Sequence, residues 1–223
     1  LPLGTTPLVT RGIVARMPAP AADEGAPADN KRQRWLVELG GDTRTTLSLV
    51  ADELLRKTRR YVLSRQAVSY DLQPQGLQVD AAVDLDIFHE ALQQLTFDVA
   101  GDIQITSVKL GEKELEWAIS PSDESHQQSL AIEFEEPLQG VGRTLHIQGW
   151  ASAKWGGQWS LPTLTCRDAL WQEGMLTLAV SPLIELRDLQ PQACQQTRLG
   201  PAPRGGETYQ FQCYRADARL EIV

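Results

Sequence analysis

Apolar and polar side chains alternate along the middle of the chain, most regularly between Leu77 and Ile87. Every second residue there is apolar, and the residues between them are mostly Asp or Gln. A period of two is typical of a β-strand with one buried face and one solvated face. Similar runs, separated by Gly- and Pro-rich turns at intervals of roughly 8–12 residues, precede and follow it. We therefore predict an all-β protein built as an antiparallel β-sandwich.

The pattern divides the chain into three parts. Residues 1–34 hold a leading strand and a linker rich in Pro and Ala, and residues 35–160 form the predicted sandwich. Residues 161–223 are a C-terminal β segment. This segment either extends the sandwich or forms a second small β module, and the pattern leaves both alternatives open.

Several turns follow from local sequence. Gly40–Asp42 predicts a hairpin between the alternating runs 35–39 and 45–50. A second predicted turn lies at His89–Gln93, where the alternation breaks. We also expect a strand to end at Glu136–Pro137, a turn at Gly140–Gly142, and a short strand at Leu183–Leu186.

The net charge of −8 makes anionic binding partners unfavourable. Nucleic acid and anionic membrane surfaces require a basic footprint, so neither is expected. No apolar run approaches the ~18 residues of a membrane-spanning helix. The chain has neither an initiator Met nor a signal peptide. We expect it to be part of a longer protein exported to the periplasm or the cell surface.

Three cysteines allow one specific pairing. Cys194 and Cys213 lie in neighbouring strand-like segments that a Gly- and Pro-rich loop joins. A disulfide there would contribute roughly 3 kcal/mol in an oxidising compartment. The alternative is that these two and Cys166 are unpaired small apolar side chains. Their spacing does not fit a zinc site, and we expect no metal or cofactor.

Tryptophans crowd into one Gly-rich segment, Trp150–Trp171. Exposed indole faces at Trp150, Trp155 and Trp159 would suit the apolar face of a sugar ring, which predicts a carbohydrate-binding site. The alternative is that these indoles pack a long connection onto the core, where each buries ~150–250 Å².

Acidic side chains share the polar face of the central strand at Asp80, Asp84 and Asp86. They would serve either as Ca²⁺ ligands and acid–base groups or as the solvated face that a half-exposed sheet requires. Neither a nucleophile motif nor a phosphate-binding loop occurs in the sequence. We therefore predict that the chain is not an enzyme.

Residues 95–148 resemble the N-terminal β-domain of M1-type zinc aminopeptidases. Matching positions in a strand, a turn and a following hairpin carry the resemblance: Ile105, Ser107, Val108, Gly111, Leu130, Ile132, Pro137, Leu138, Gly140, Leu145 and Ile147. The resemblance implies an accessory N-terminal-type domain of a metallopeptidase-like enzyme. It brings no catalytic residues, because the family's zinc helix requires His-Glu-x-x-His and the nearest string, His89–Gln93, lacks the second His.

The flanking blocks resemble large exported β-rich proteins of planctomycete-like style. Together these features predict a non-catalytic structural or interaction module of a larger exported bacterial protein. Carbohydrate binding and the metallopeptidase accessory domain are the two alternatives. The expected partners are other domains of the same protein, a separate protein or a polysaccharide.

Overall fold

The computed structural model describes residues 1, 4–9, 13–17, 33–39, 45–51, 60–100, 102–121 and 127–223. Regular structure in these residues consists of strands, which confirms the all-β prediction. The strands are β1 (Thr5–Val9), β2 (Ile13–Arg16), β3 (Trp35–Glu38), β4 (Leu47–Ala51), β5 (Arg60–Gln73), β6 (Gly76–Ala100), β7 (Ile103–Leu110), β8 (Lys113–Glu114), β9 (Glu116–Pro121), β10 (Gln127–Ala151), β11 (Trp159–Ser160), β12 (Thr163–Cys166), β13 (Leu170–Val180), β14 (Leu189–Gln192), β15 (Cys194–Pro201), β16 (Glu207–Cys213) and β17 (Arg219–Ile222).

Ten strands form the main sheet, in the order β15-β16-β13-β5-β6-β10-β7-β8, with β12 added to β6 and β9 added to β10. Neighbouring strands are antiparallel except β5 and β13, which are parallel. Because β13, β15 and β16 belong to this sheet, the C-terminal segment is hydrogen-bonded to the central strands. Smaller sheets pair β1 with β4, β2 with β3, and β17 with both β11 and β14.

The two longest strands, β6 and β10, bend in the middle instead of ending there. The predicted turns at His89–Gln93 and Gly140–Gly142, and the predicted end at Pro137, are therefore wrong. His89 adopts a φ of 73°, and the β6–β10 register shifts repeatedly between Glu133 and Arg143. Bulges absorb the turn-forming residues, because an extra residue bends a strand without breaking its ladder.

This bend folds the sheet into two layers. The Gln66 side-chain amide donates to the Leu164 carbonyl at 2.9 Å, and the Tyr70 hydroxyl donates to the Pro162 carbonyl at 2.5 Å. Gln66 is paired with one half of β6 at Val83, whereas Leu164 is paired with the other half. The two halves of β6 therefore face each other across one core, as in the predicted sandwich. Its fully buried side chains include Leu77, Val83, Leu85, Ile87, Leu95, Phe97 and Val99.

Near the N-terminus, the predicted pairing is wrong although the strands exist. β3 pairs with β2, and β4 pairs with β1, so the described runs 35–39 and 45–50 are not hairpin partners. Alternation specifies which face of a strand is buried, but it does not specify the neighbouring strand. The predicted turn at Gly40–Asp42 and residues 18–32 of the predicted linker lie outside the described residues. Within the described part of the chain, no helix is long and apolar enough to cross a membrane.

Candidate functional site

An open cleft of about 580 Å³ lies at one end of the two-layered sheet. Four parts of the chain line it: the loop 152–158 after β10, the segment 181–188 after β13, the end of β17, and Leu72 and Pro74 at the turn between β5 and β6. Ligand sites in proteins commonly enclose ~300–1,000 Å³, so the cleft is large enough to receive several side chains or a small molecule. We call it the Trp155 cleft, after the indole on its wall.

Segment 181–188 turns sharply as it leaves β13. The Ser181 amide donates to the Leu72 carbonyl at 3.0 Å and extends the pairing with β5 by one step. Pro182 has no N–H and cannot continue the ladder. The Ile184 amide then donates to the Ser181 carbonyl at 3.0 Å, which leaves Leu183 82% exposed. The predicted strand at Leu183–Leu186 is wrong for this reason.

The far end of the same segment is anchored to the C-terminal strand. The Arg187 amide donates to the Val223 carbonyl at 2.8 Å, and the Val223 amide donates to the Asp188 carbonyl at 3.1 Å. These two backbone bonds hold 181–188 against the end of β17. The exposed Leu183 therefore projects from a segment that is fixed at both ends.

The opposite segment presents one indole to solvent and buries another. Trp155 is 56% exposed, whereas Trp159 is only 7% exposed and belongs to the core. Gly156, at a φ of +82°, follows Trp155 and adopts a conformation that few other residues tolerate. Trp155 is thus carried on a tight loop, and Trp159 ties the end of that loop to the core.

Charged groups lie around the edge of the cleft. The Lys154 ammonium is 3.3 Å from a carboxylate oxygen of Asp102, and both side chains are largely exposed. Glu185 and Arg187 are exposed neighbours on the other segment. The apolar part of the lining, between these charged groups, comes from Ile184, Leu186 and the buried Leu72. The arrangement is an apolar interior with a charged edge.

The predicted sugar-binding tryptophans do not share one exposed face. Trp150 is half-buried and lies over Gly76, where an added Cβ would be 2.2 Å from the indole. Trp159 is buried, so Trp155 is the one of the three with most of its surface open. Carbohydrate binding at these residues stays a prediction.

The aspartates on the outer face of β6 are each engaged by neighbours. Asp80 accepts hydrogen bonds from the Gln78 and Gln148 side chains, and Asp84 accepts one from Thr144 at 2.5 Å. In the described residues, no three His, Cys, Asp or Glu side chains are grouped as metal ligands would be.

Asp86 has the tightest set of partners of the three aspartates. It pairs with Arg65 at 2.8 Å and accepts the Gly142 amide at 2.8 Å. Burial acts to raise the pKa of Asp86, but the hydrogen bonds from Arg65 and Gly142 and the Arg65 charge together lower it. This carboxylate is therefore held in its ionised form by structure-forming contacts.

The structure places Cys194 and Cys213 directly opposite each other in the β15–β16 hairpin. Cys213 is 7% exposed, Cys194 is half-buried, and both thiols are free. The Cys194 thiol donates to the Arg219 carbonyl of β17 at 3.7 Å. Cys166 lies on β12, opposite Phe97 of β6, and is also free.

Sequence reasoning missed the half of the Trp155 cleft that Leu183, Glu185 and Arg187 contribute. The usable signal was the dipeptide Ser181–Pro182, which marks the end of a strand more strongly than the apolar residues after it suggest a new one. Segment 181–188 lies close to Trp155 because of the order of strands in the sheet, which the sequence pattern does not encode.

Comparison with known proteins gives low-scoring matches to solved structures. Neither a family model nor a curated protein matches the sequence. Among solved structures, the M1 zinc metallopeptidase from Deinococcus radiodurans matches at 12% identity with a TM-score of 0.47, covering 73% of this chain and 42% of that one. Leukotriene A4 hydrolase from Saccharomyces cerevisiae matches at 14% identity with a TM-score of 0.47, covering 73% of this chain and 29% of that one.

The first of these structures belongs to the family that residues 95–148 resemble in sequence. The chain spans less than half the length of either structure. At such low identities and TM-scores, the likeness supports no statement about activity.

Proposed function

We propose that the chain is a non-catalytic accessory β domain whose Trp155 cleft binds another domain of the same, larger protein. The observation that carries the proposal is the exposure of large apolar side chains at one place. Leu183 is 82% exposed and Trp155 is 56% exposed, and both line the cleft. Clustered exposed apolar groups bordered by polar residues are typical of interaction sites.

The chemistry of the cleft favours a protein over a sugar. Protein interfaces combine an apolar centre with a polar rim, and Trp and Arg are enriched in them. The Trp155 cleft is lined by the apolar side chains of Leu183, Ile184 and Trp155 and by the charged side chains of Lys154 and Arg187. Hydrogen-bonding groups also lie beside the indole at Lys154, Glu185 and Arg187, so an oligosaccharide panel is kept as a direct test of the sugar alternative. The expected occupant is an apolar side chain flanked by charges of both signs.

The choice of another domain as the occupant follows from the sequence. The resemblance of residues 95–148 implies a domain that accompanies a larger unit. An intramolecular partner does not have to supply a large interface, because the covalent link raises its effective concentration. A cleft of modest size is sufficient under that condition.

Hydrogen–deuterium exchange tests the proposal. Exchange is measured once in the isolated 223-residue chain and once in the full product of its gene, and the two rates are compared. We expect the amides of 152–158 and 181–188 to exchange at least ~10-fold more slowly in the full product, since docking removes local opening. Leu183→Glu should abolish this protection, because it places a charge on the apolar surface that the second domain would cover. Val141→Glu is the matched control, since Val141 is 66% exposed and lies outside the cleft.

Equal exchange in both settings would overturn the proposal. Protection that survives Leu183→Glu would also overturn it, because the contact would then lie elsewhere. If an oligosaccharide panel protects the same segments in the isolated chain, the carbohydrate-binding alternative replaces the domain-docking one.

A further inference from the structure

Two thiols face each other at the edge of the main sheet. Cys194 begins β15 and Cys213 ends β16, and they form a directly opposed pair at the open end of this hairpin. Directly opposed residues of an antiparallel pair have Cα atoms about 4.5–5.5 Å apart and side chains on the same face. Disulfides occur at Cα separations of about 4.4–6.8 Å. The backbone already provides the spacing that a bridge needs.

The surroundings distinguish the two cysteines. Cys194 is half-buried on a strand that has a neighbour on one side only, since β15 is the outer strand of the sheet. Cys213 is buried on β16, with Cys194 opposite it on one side and Gly174 of β13 on the other. The packing there is close, since a Cβ added at Gly174 would lie 3.1 Å from the Cys213 Cβ. An external reagent can therefore approach Cys194 more readily than Cys213.

We propose that Cys194 and Cys213 are a thiol–disulfide exchange pair, in which Cys194 reacts with an external disulfide and Cys213 resolves the product. The Cys194 thiolate attacks one sulfur of the external disulfide, which releases a thiolate and leaves a mixed disulfide on Cys194. Cys213 then loses its proton to solvent and attacks Cys194 Sγ, which expels the second external thiolate. The protein loses two hydrogens, and the external disulfide is reduced to two thiols.

The electrostatics of the pair agree with Cys194 as the attacking thiol, whereas the raised pKa of Cys213 slows the second step. The hydrogen bond from the Cys213 thiol lowers the pKa of Cys194, although burial opposes the shift. The pKa of Cys213 is raised by the same hydrogen bond and by burial. Attack requires the thiolate, so Cys194 is the more reactive of the two at neutral pH. Burial raises the pKa of Cys166 to about 12, which makes it the unreactive comparison.

Closure of the bridge would fix the outer strand to its neighbour. The ladder of β15 is formed with β16 alone, and its register shifts between Gln196 and Arg198. The Cys194 thiol also donates to the Arg219 carbonyl of β17. A bond at the Cys194 end would prevent opening of the hairpin from that side. This role is separate from the Trp155 cleft, so the failure of either proposal leaves the other intact.

The experiment treats the reduced 223-residue chain with oxidised glutathione and follows intact mass and tryptic maps. The native wild type should lose two hydrogens, retain no glutathione and yield a peptide linking 194 to 213. Cys213→Ser should retain one glutathione at Cys194, because the resolving thiol is missing. Cys194→Ser should react at least ~10-fold more slowly than wild type, and Cys166→Ser should react at the wild-type rate.

Three results would overturn the inference. The first is a native wild type that keeps all its thiols while the urea-unfolded chain is oxidised. The second is a bridge that includes Cys166. The third is an unfolded chain that forms the 194–213 link as fast as the native one, because the folded geometry would then contribute nothing. The wild-type measurements alone decide these points, whether or not a serine variant folds.

Discussion

Leu85 and Leu183 are the same residue type in two regions with opposite outcomes. Leu85 on β6 is fully buried, whereas Leu183 on segment 181–188 is 82% exposed. β6 is paired on both sides, by β5 and β10, so its inner face is enclosed by regular neighbours. Strand pairing stops at Pro182 in segment 181–188, whose backbone bonds to β5 and to the end of β17 lie at its two ends. Ile184 and Leu186 between them pack against the core, but Leu183 does not. Burial here depends on regular pairing around a residue more than on the hydrophobicity of that residue.

The largest expected effect is the loss of stability when Leu85 is truncated, with the same truncation at Leu183 as the comparison. Leu85→Ala should reduce the free energy of unfolding by about 2–5 kcal/mol, because it leaves a cavity in a closed core. Leu183→Ala should change the free energy of unfolding of the isolated chain by less than ~0.5 kcal/mol. Urea unfolding of the two variants under the same conditions measures the difference. Equal losses would show that segment 181–188 is packed as tightly as β6.

A smaller effect is expected where β6 begins. Gly76, at a φ of +150°, faces Trp150, and a Cβ there would be 2.2 Å from its indole and 2.9 Å from the Ala151 carbonyl oxygen. Gly76→Ala should therefore destabilise the protein by about 1–3 kcal/mol through forced displacement of the indole. Gly157→Ala is the control, since nothing lies within 4 Å of its added Cβ. If the two variants have the same urea midpoint, Trp150 is not packed as described.

The smallest effect concerns the outer face of β6 and depends on pH. Because folding lowers the pKa of Asp86, its ion pair with Arg65 stabilises the protein above the unfolded carboxyl's pKa of about 3.9. This contribution is lost as the pH falls through the lower, folded pKa. Asp86→Asn should remove ~1 kcal/mol at neutral pH and less in acid. Thermal unfolding of both proteins from about pH 7 to about pH 3 checks whether their curves converge.

The sequence predicted the features that depend on local alternation. The strand between Leu77 and Ile87 is present and its apolar face is buried, and the cysteine pair lies in neighbouring strands of one hairpin. The sequence predicts turns at His89 and Gly140–Gly142 and a strand end at Pro137, where the structure has bulges. The same residues favour both, and only the paired strand decides between them. Partner choice was also missed at β3 and β4, since several strands with similar alternation compete for each edge.

The candidate site was less predictable than the fold. Trp155 was visible in the sequence as part of an aromatic cluster, but its exposure and the burial of Trp159 follow from how the loop 152–158 meets β17. Leu183 gave no functional signal, because an apolar residue after a strand resembles any other core residue. The cleft arises from a meeting of distant segments, which composition and spacing do not report.

Iodide quenching of tryptophan fluorescence in the isolated chain tests the open Trp155 cleft most directly. Single Trp→Phe variants at 155 and 159 assign the signal to each indole. We predict that Trp155 accounts for most of the quenching in this segment and that Trp159 is shielded, as their exposures of 56% and 7% require. A shielded Trp155 would contradict the account, because the cleft would then be closed and no apolar surface would be left for a second domain to cover.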